Sequence, residues 1–305
     1  MSEKVKIRIM EKLKKYRGYR ITIMRHIVQI ISFIMIFGGI IGYAATAIVL
    51  PIRTGLSNPY LIVADAWSLL EIMLALCIVP LIVIASISLF SIIIGRTLCG
   101  WVCPFGFIND VVGALGRKRR VSPATSIGLW KFALFLAGIW IIIDVSIYYN
   151  EYVGNSIRGM FGEFGYAPST FLDPVSTLFG LLFWYNYHNL WPKEYLDFFY
   201  MPKFFYWRVF FLVMVFLGML YIQRFYCRTL CPLGAIMGLA GQYAFLHLSI
   251  DAALCDECKV CEYVCPMGVP ILKYKEEGEI RSPLCIMCLK CLESCPKGAI
   301  RVRFR

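Results

Sequence analysis

Histidine is scarce in this chain. His26, His188 and His247 are the only three among 305 residues, and they fall at the start of an apolar run, in a connection and beside the C-terminal cysteines. No two bracket an apolar run, so a b-type haem within a bilayer has no ligand pair. No Cys-x-x-Cys-His occurs, which excludes a covalently attached c-type haem. No Gly-x-Gly-x-x-Gly opens a helix, which argues against a nucleotide or flavin held by a Rossmann unit. Charge is scarce too: 16% of residues are charged and 59% are hydrophobic, against roughly 25% and 45–50% in soluble domains. That balance excludes a disordered chain, a collagen-like chain and a small secreted scaffold. Several apolar runs reach the roughly 20 residues that cross a hydrocarbon core, so a membrane protein is expected.

Four spans are predicted, at about His26 to Leu50, Trp67 to Gly95, Leu129 to Tyr149 and Phe204 to Gln223. The stretch from Phe171 to Tyr187 is apolar but short and aromatic, and is expected to re-enter or lie at the interface. Lysine and arginine number 9 in residues 1–25, 6 in 96–131 and 11 in 222–305, while the connections 51–66 and 144–207 hold 4 between them. The positive-inside rule then puts both termini and the 96–131 loop in the cytoplasm of a multi-pass inner-membrane protein. The net charge of +12 is a topology signal, and no nucleic-acid partner is expected. A basic start followed by an apolar run and Ala45-Thr46-Ala47 imitates a secretory signal, but the run is long enough to favour an uncleaved anchor.

What the chain has in excess is cysteine: 13, of which 12 fall into four tight groups. Cys255, Cys258, Cys261 and Cys265-Pro266 are repeated 30 residues later by Cys285, Cys288, Cys291 and Cys295-Pro296. This is the bacterial ferredoxin run in duplicate, in which three thiolates wrap one cubane and the fourth ligates the other. One [4Fe-4S] cluster is therefore assigned to Cys255, Cys258, Cys261 and Cys295, and a second to Cys285, Cys288, Cys291 and Cys265. Zinc also accepts four thiolates, but its sites pair two Cys-x2-Cys halves rather than triplets followed by proline. Disulfides do not fit the predicted cytoplasmic side. Val260, Ile286 and Leu292, lying between ligands, are expected to keep the clusters dry.

The other two groups belong to an internal repeat. Arg96-Thr97-Leu98-Cys99-Gly100-Trp101-Val102-Cys103-Pro104-Phe105-Gly106 aligns with Arg224-Phe225-Tyr226-Cys227-Arg228-Thr229-Leu230-Cys231-Pro232-Leu233-Gly234. Asp65-Ala66-Trp67-Ser68 and Asp173-Pro174-Val175-Ser176 form an earlier matching pair. Two copies of a two-span hairpin, related by a pseudo-two-fold axis, are the simplest account. If each cysteine pair sits on a helix, spacing of four puts both on one face. Brought together, Cys99, Cys103, Cys227 and Cys231 are a possible further iron-sulfur site, or else packing residues or a labile dithiol. Arg96 and Arg224 either offset a cluster's charge or snorkel to the interface. Cys77, alone in the second run, is expected to be a small buried hydrophobe.

The predicted fold is thus membrane all-α with a C-terminal α+β two-cluster ferredoxin domain. Its divisions are a basic segment 1–25, repeats at 26–128 and 129–250, and the ferredoxin domain at 251–305. The remaining partner for the electrons is expected to be lipid-soluble, a quinone, or another redox subunit. Quinol oxidation needs a proton acceptor near the ring, and Asp65, Asp173, His188 and Glu71 are the ionisable candidates near the outer face; each is otherwise a cap or a solvated group. The aromatics of residues 150–206 fit an interfacial belt or the walls of a quinone pocket.

With four spans, paired Cys-x-x-x-Cys-Pro motifs and a two-cluster ferredoxin segment, the sequence resembles the NapH family of membrane iron-sulfur proteins, related to the C-terminal half of NosR and to CcoG. The resemblance implies quinol dehydrogenase activity that passes electrons to or from redox partners, with Cys99, Cys103, Cys227, Cys231 and the eight ferredoxin cysteines at the motif positions. A competing expectation is a polyferredoxin that supplies electrons for the maturation of another enzyme. A third is a ferredoxin held by an inert anchor.

Overall fold

The structure is a computed structural model that describes residues 20–40, 66–116, 121–155, 157–178 and 203–305. Its helical part comprises α1 (Arg20–Ile40), α2 (Ala66–Ala75), α3 (Leu81–Ile94), α4 (Thr97–Trp101), α5 (Pro104–Leu115), α6 (Pro123–Val153), α7 (Pro174–Ser176), α8 (Lys203–Tyr221), α9 (Phe225–Thr229) and α10 (Pro232–Gly241). Two 3-10 segments, Arg158–Gly165 and Pro168–Leu172, join α6 to α7. The C-terminal part holds β1 (Leu246–Ile250), α11 (Val260–Val264), β2 (Glu279–Ile280), α12 (Lys290–Glu293) and β3 (Ile300–Phe304).

Helix α6 has the clearest local causes. The Ser122 hydroxyl caps it by accepting from the Thr125 N–H at 3.1 Å, and Pro123 occupies the first turn, where no donor is needed. Gly154, at φ +84°, ends it in a left-handed cap. Among the described residues, α6 alone is long and apolar enough to cross a membrane; Leu81–Ile94 and Phe205–Tyr221 are shorter apolar helices. The predicted set of four spans thus meets one clear crossing helix. Large apolar side chains nonetheless cover the outside of several helices: Ile82, Phe135 and Phe210 are 75%, 65% and 56% exposed.

The second predicted span, Trp67 to Gly95, is not one helix. Pro80 lacks an N–H and its ring opposes the carbonyl four residues back, so the helix ends before it. The chain turns at Cys77, whose φ is +56°. Helix α2 lies along α6, with Trp67 in one apolar cluster with Ala137 and the Cys77 sulfur 3.9 Å from the Tyr148 carbonyl oxygen. Helix α3 folds back beside it, since Val83 and Ile87 share that cluster. Cys77 is exposed at the turn rather than buried.

The three strands form an antiparallel sheet of order β2-β1-β3, with Leu248 opposite both Ile280 and Val302. Strand β1, N-terminal to residue 251, thus belongs to the ferredoxin sheet. Its core is continuous with that of the helices: Leu248, Ile250, Met267, Ile271, Leu284 and Ile286 form one cluster with Trp130 and Ala133 of α6 and Ala235 of α10. Glu293 of α12 caps the start of α1, accepting from the Ile21 N–H at 3.0 Å and from the Thr22 hydroxyl. The ferredoxin unit is therefore fused to the helices by packing, not merely tethered to them.

Candidate metal centres

The eight C-terminal cysteines surround two hollows. Cys255, Cys258, Cys261 and Cys295 line the first, closed by Ile250, Leu272 and Pro296. Cys265, Cys285, Cys288 and Cys291 line the second, with Met267, Ile286 and Met287. The last cysteine of each run thus crosses to the other run's hollow. The backbone explains how each triplet wraps. Glu257 and Lys259 have φ of +52° and +61°, and Met287 and Leu289, 30 positions on, have +51° and +60°. A left-handed conformation costs a side-chain-bearing residue roughly 1–2 kcal/mol, and both loops accept that strain at matching positions. Val260 and Ile286 are 1% and 2% exposed, so the loop interiors are dry. The Val269 N–H donates to the Cys265 sulfur at 3.4 Å and the Ala299 N–H to the Cys295 sulfur at 3.3 Å.

Each hollow is lined by four cysteines, the number of thiolates that a [4Fe-4S] cubane takes. Burial pushes the Cys261 and Cys285 thiols up to about 12. As bare cysteines they are protonated at neutral pH, and iron would have to displace those protons.

Each membrane-proximal cysteine pair is divided between two helices rather than carried on one, contrary to the conditional expectation above. Cys99 lies in α4 and Cys227 in α9, while Cys103 and Cys231 are the extended N-cap residues of α5 and α10. The cause is the following proline, which suits the first helical turn and drives the residue before it out of helical geometry. The two copies clasp reciprocally. Arg96 Nη2 donates to the Cys227 carbonyl oxygen at 3.1 Å, and Arg224 Nη1 donates to that of Cys99 at 2.9 Å. The Gly234 N–H donates to the Cys231 sulfur at 3.2 Å, and a Cβ on Gly234 would fall 2.9 Å from Arg96 Nη2. Glycine is what lets the guanidinium approach.

Both arginines are buried, so neither snorkels: Arg96 is 1% and Arg224 0% exposed. Arg224 makes a bidentate pair with Asp110, at 3.0 and 2.7 Å, and Arg25 Nη1 adds a contact to the same carboxylate at 3.1 Å. Burial alone would raise the Asp110 carboxyl, but Arg224 and Arg25 outweigh it and hold it well below the usual range. Arg96 and Arg228 have no carboxylate partner among the described residues. Burial lowers Arg228 to about 10, which still leaves it charged at neutral pH.

These same side chains hold the second hollow. Arg96 Nη1 donates to the Pro283 carbonyl oxygen at 2.9 Å, Trp101 Nε1 to that of Met287 at 2.8 Å, and Arg228 Nη2 to that of Pro266. Gly100 lies so close to Ile286 that a Cβ would fall 2.3 Å from its carbonyl oxygen. The four membrane-proximal cysteines, the second hollow and the first hollow are thus placed in series.

The proposed proton residues have varied fates. Asp173 is buried and behaves as a cap, accepting from the N–H groups of Val175 and Ser176 at 2.9 Å and from the Tyr226 hydroxyl at 2.8 Å. Asp65 and His188 lie outside the described residues. Glu71 is buried, accepting from Trp67 Nε1 at 2.8 Å and from the Ser169 hydroxyl at 2.8 Å. Sequence reasoning passed over Asp110, Arg228 and Asp144; the last was visible as a lone acid inside the third apolar run.

Duplicated cysteine loops fused to a helical unit define an iron–sulfur electron-transfer protein. A family model described as "4Fe-4S binding domain" matches residues 72–122 and 204–248, the segments that carry the two Cys-x-x-x-Cys-Pro motifs, and one described as "4Fe-4S dicluster domain" matches residues 247–296. An uncharacterised protein of Methanocaldococcus jannaschii is 26% identical over 69% of this chain and 65% of its own. NirI of Paracoccus denitrificans is 28% identical over 68% of this chain and 26% of its own, and the ferredoxin-type protein NapH of Haemophilus influenzae is 27% identical over 72% and 67%. These matches support a NapH-type 4Fe-4S polyferredoxin family. No solved structure matches it.

Proposed function

We propose that the chain is a multi-pass membrane subunit that exchanges electrons between a lipid-soluble quinone and a redox partner. In this reading Cys255, Cys258, Cys261 and Cys295 hold one [4Fe-4S] cluster, and Cys265, Cys285, Cys288 and Cys291 hold a second. Cys99, Cys103, Cys227 and Cys231 hold a third centre between the repeats. Such clusters supply one-electron redox chemistry. The observation that carries the reading is the reciprocal arginine clasp, which ties the four repeat cysteines to the second hollow. Arg96 and Arg228 support the third centre, because buried cations without carboxylate partners need an anion, and thiolates bound to iron supply one. The exposed apolar side chains of α3, α6 and α8 suit contact with lipid. The basic termini and 96–131 loop put all three cysteine sets on the cytoplasmic side.

Iron and sulfide analysis with EPR on anaerobically purified protein tests the ligand sets. About eight irons correspond to the ferredoxin pair alone, and about ten to twelve include the third centre; a count of eight removes that centre. Addition of a hydroquinone analogue is expected to bleach the oxidised clusters, as dithionite does. Bleaching by dithionite but not by the hydroquinone would overturn the quinone reading.

A further inference from the structure

The two hollows differ in their surroundings. Asp256, Lys259 and Lys297 stand in the wall of the first, and all three are exposed to water. The second is lined by cysteine, proline and apolar side chains alone, and it packs against the helical part through Gly100 and Trp101. A dry wall works against reduction. Taking up an electron adds negative charge to a cluster that four thiolates already make anionic, and burial disfavours the more highly charged form. With nothing to offset that cost, the second hollow would hold a cluster that resists reduction in the middle of the series.

Two buried cations stand behind the dry wall. Arg96 is 1% and Arg228 4% exposed. Arg96 Nη1 donates to the carbonyl oxygen of Pro283, just before Cys285, and Arg228 Nη2 to that of Pro266, which follows Cys265. Each therefore reaches the backbone beside a different cysteine of the second hollow. The second side-chain partner of Arg228 is neutral: the Ser126 hydroxyl accepts from Nη1 at 2.8 Å. Arg224 differs, because Asp110 offsets its charge. No carboxylate among the described residues does so for Arg96 or Arg228, and in a low-dielectric interior an unpaired cation acts strongly on a neighbouring anion.

We propose that Arg96 and Arg228 set the reduction potential of the cluster in the second hollow, raising it so that this buried cluster can take electrons. This inference rests on the two ferredoxin clusters of the reading above and is independent of the quinone. Neither arginine is a ligand, and both act as positioning charges through the field they place on the site. The step they favour is the transfer of one electron from a neighbouring centre, or from dithionite in vitro, with no bond formed or broken.

The test is a redox titration followed by EPR, in which C258S and C288S identify the signals of the first and second clusters. Wild type is compared with R96Q, R228Q, R228K, S126D and S126N, matched for iron content. At the wild-type midpoint of the second cluster, R96Q and R228Q are each expected to lower its reduced-to-oxidised ratio at least tenfold, equivalent to about 59 mV for one electron. The first cluster should keep its midpoint. R228K retains the charge and should stay within that tenfold. S126D leaves the arginine in place but gives it a carboxylate, and is expected to lower the same midpoint, whereas the neutral S126N should not. Unchanged midpoints in R96Q and R228Q, equal shifts in both clusters, or an R228K shift as large as that of R228Q overturns the proposal and leaves the cluster assignment intact. If the glutamine variants do not load the second cluster, S126D against S126N decides, and equal midpoints overturn it. Wild type that lacks two such signals overturns both.

Discussion

Asp110 shows how a few buried charges fix the site. It is the one carboxylate that Arg25 and Arg224 share among the described residues, and Arg224 also reaches the Cys99 carbonyl oxygen across the repeat axis. Changing Asp110 to Asn leaves two buried guanidiniums without an anion, and a loss of about 3–5 kcal/mol is expected, measurable as a lower melting temperature with earlier cluster release. The pH dependence follows from the depressed carboxyl. Its contribution is fully present above the ordinary value of 3.8 and is lost as pH falls through the folded-state value below it. Wild type should therefore lose stability under acid in a phase that D110N lacks, and identical acid profiles would contradict the assignment. The grouping of the eight C-terminal cysteines around two hollows was legible from spacing alone. Asp110 and Arg228 were not, because nothing local in a sequence says which distant group a charge will meet.

At the scale of elements, the same short pattern is used twice: a turn of helix carrying one cysteine, a second cysteine in extended geometry, then proline opening the next helix. The alignment of the repeats exposed the symmetry. It did not reveal that each cysteine pair bridges two helices, although proline's effect on the residue before it was the available signal. Pro80 likewise foretold the break between α2 and α3, but the strength of the apolar run concealed it. Among the matched positions at which the repeats differ is Gly100 against Arg228, and each serves the second hollow in its own way. Arg228 grips the Pro266 carbonyl oxygen, while Gly100 admits the Ile286 backbone. Alanine at position 100 must displace that loop, because its Cβ would lie 2.3 Å from a carbonyl oxygen. A destabilisation of about 1–3 kcal/mol is expected, read as an earlier melt of the cluster absorbance; an unchanged melt would mean that the interface is looser than described.

For the molecule as a whole, orientation is the property most exposed to test. A fluorescent protein fused after Arg305 is expected to fold and fluoresce in the cytoplasm, and alkaline phosphatase at the same position to be inactive. Phosphatase inserted between α6 and the 3-10 segment at Arg158 should be active. The opposite pattern would reverse the sidedness of every cysteine set. By itself, the sequence determined the ferredoxin loops, the crossing of their fourth cysteines and the duplication, because ligand spacing and repeat alignment are local or periodic. Only the tertiary structure decided that the two repeats clasp through Arg96 and Arg224, that the second hollow packs against Gly100 and Trp101, and that Arg25 and Arg224 share Asp110. Those relations join residues far apart in the chain, and they are set by how helices pack rather than by any pattern within one helix.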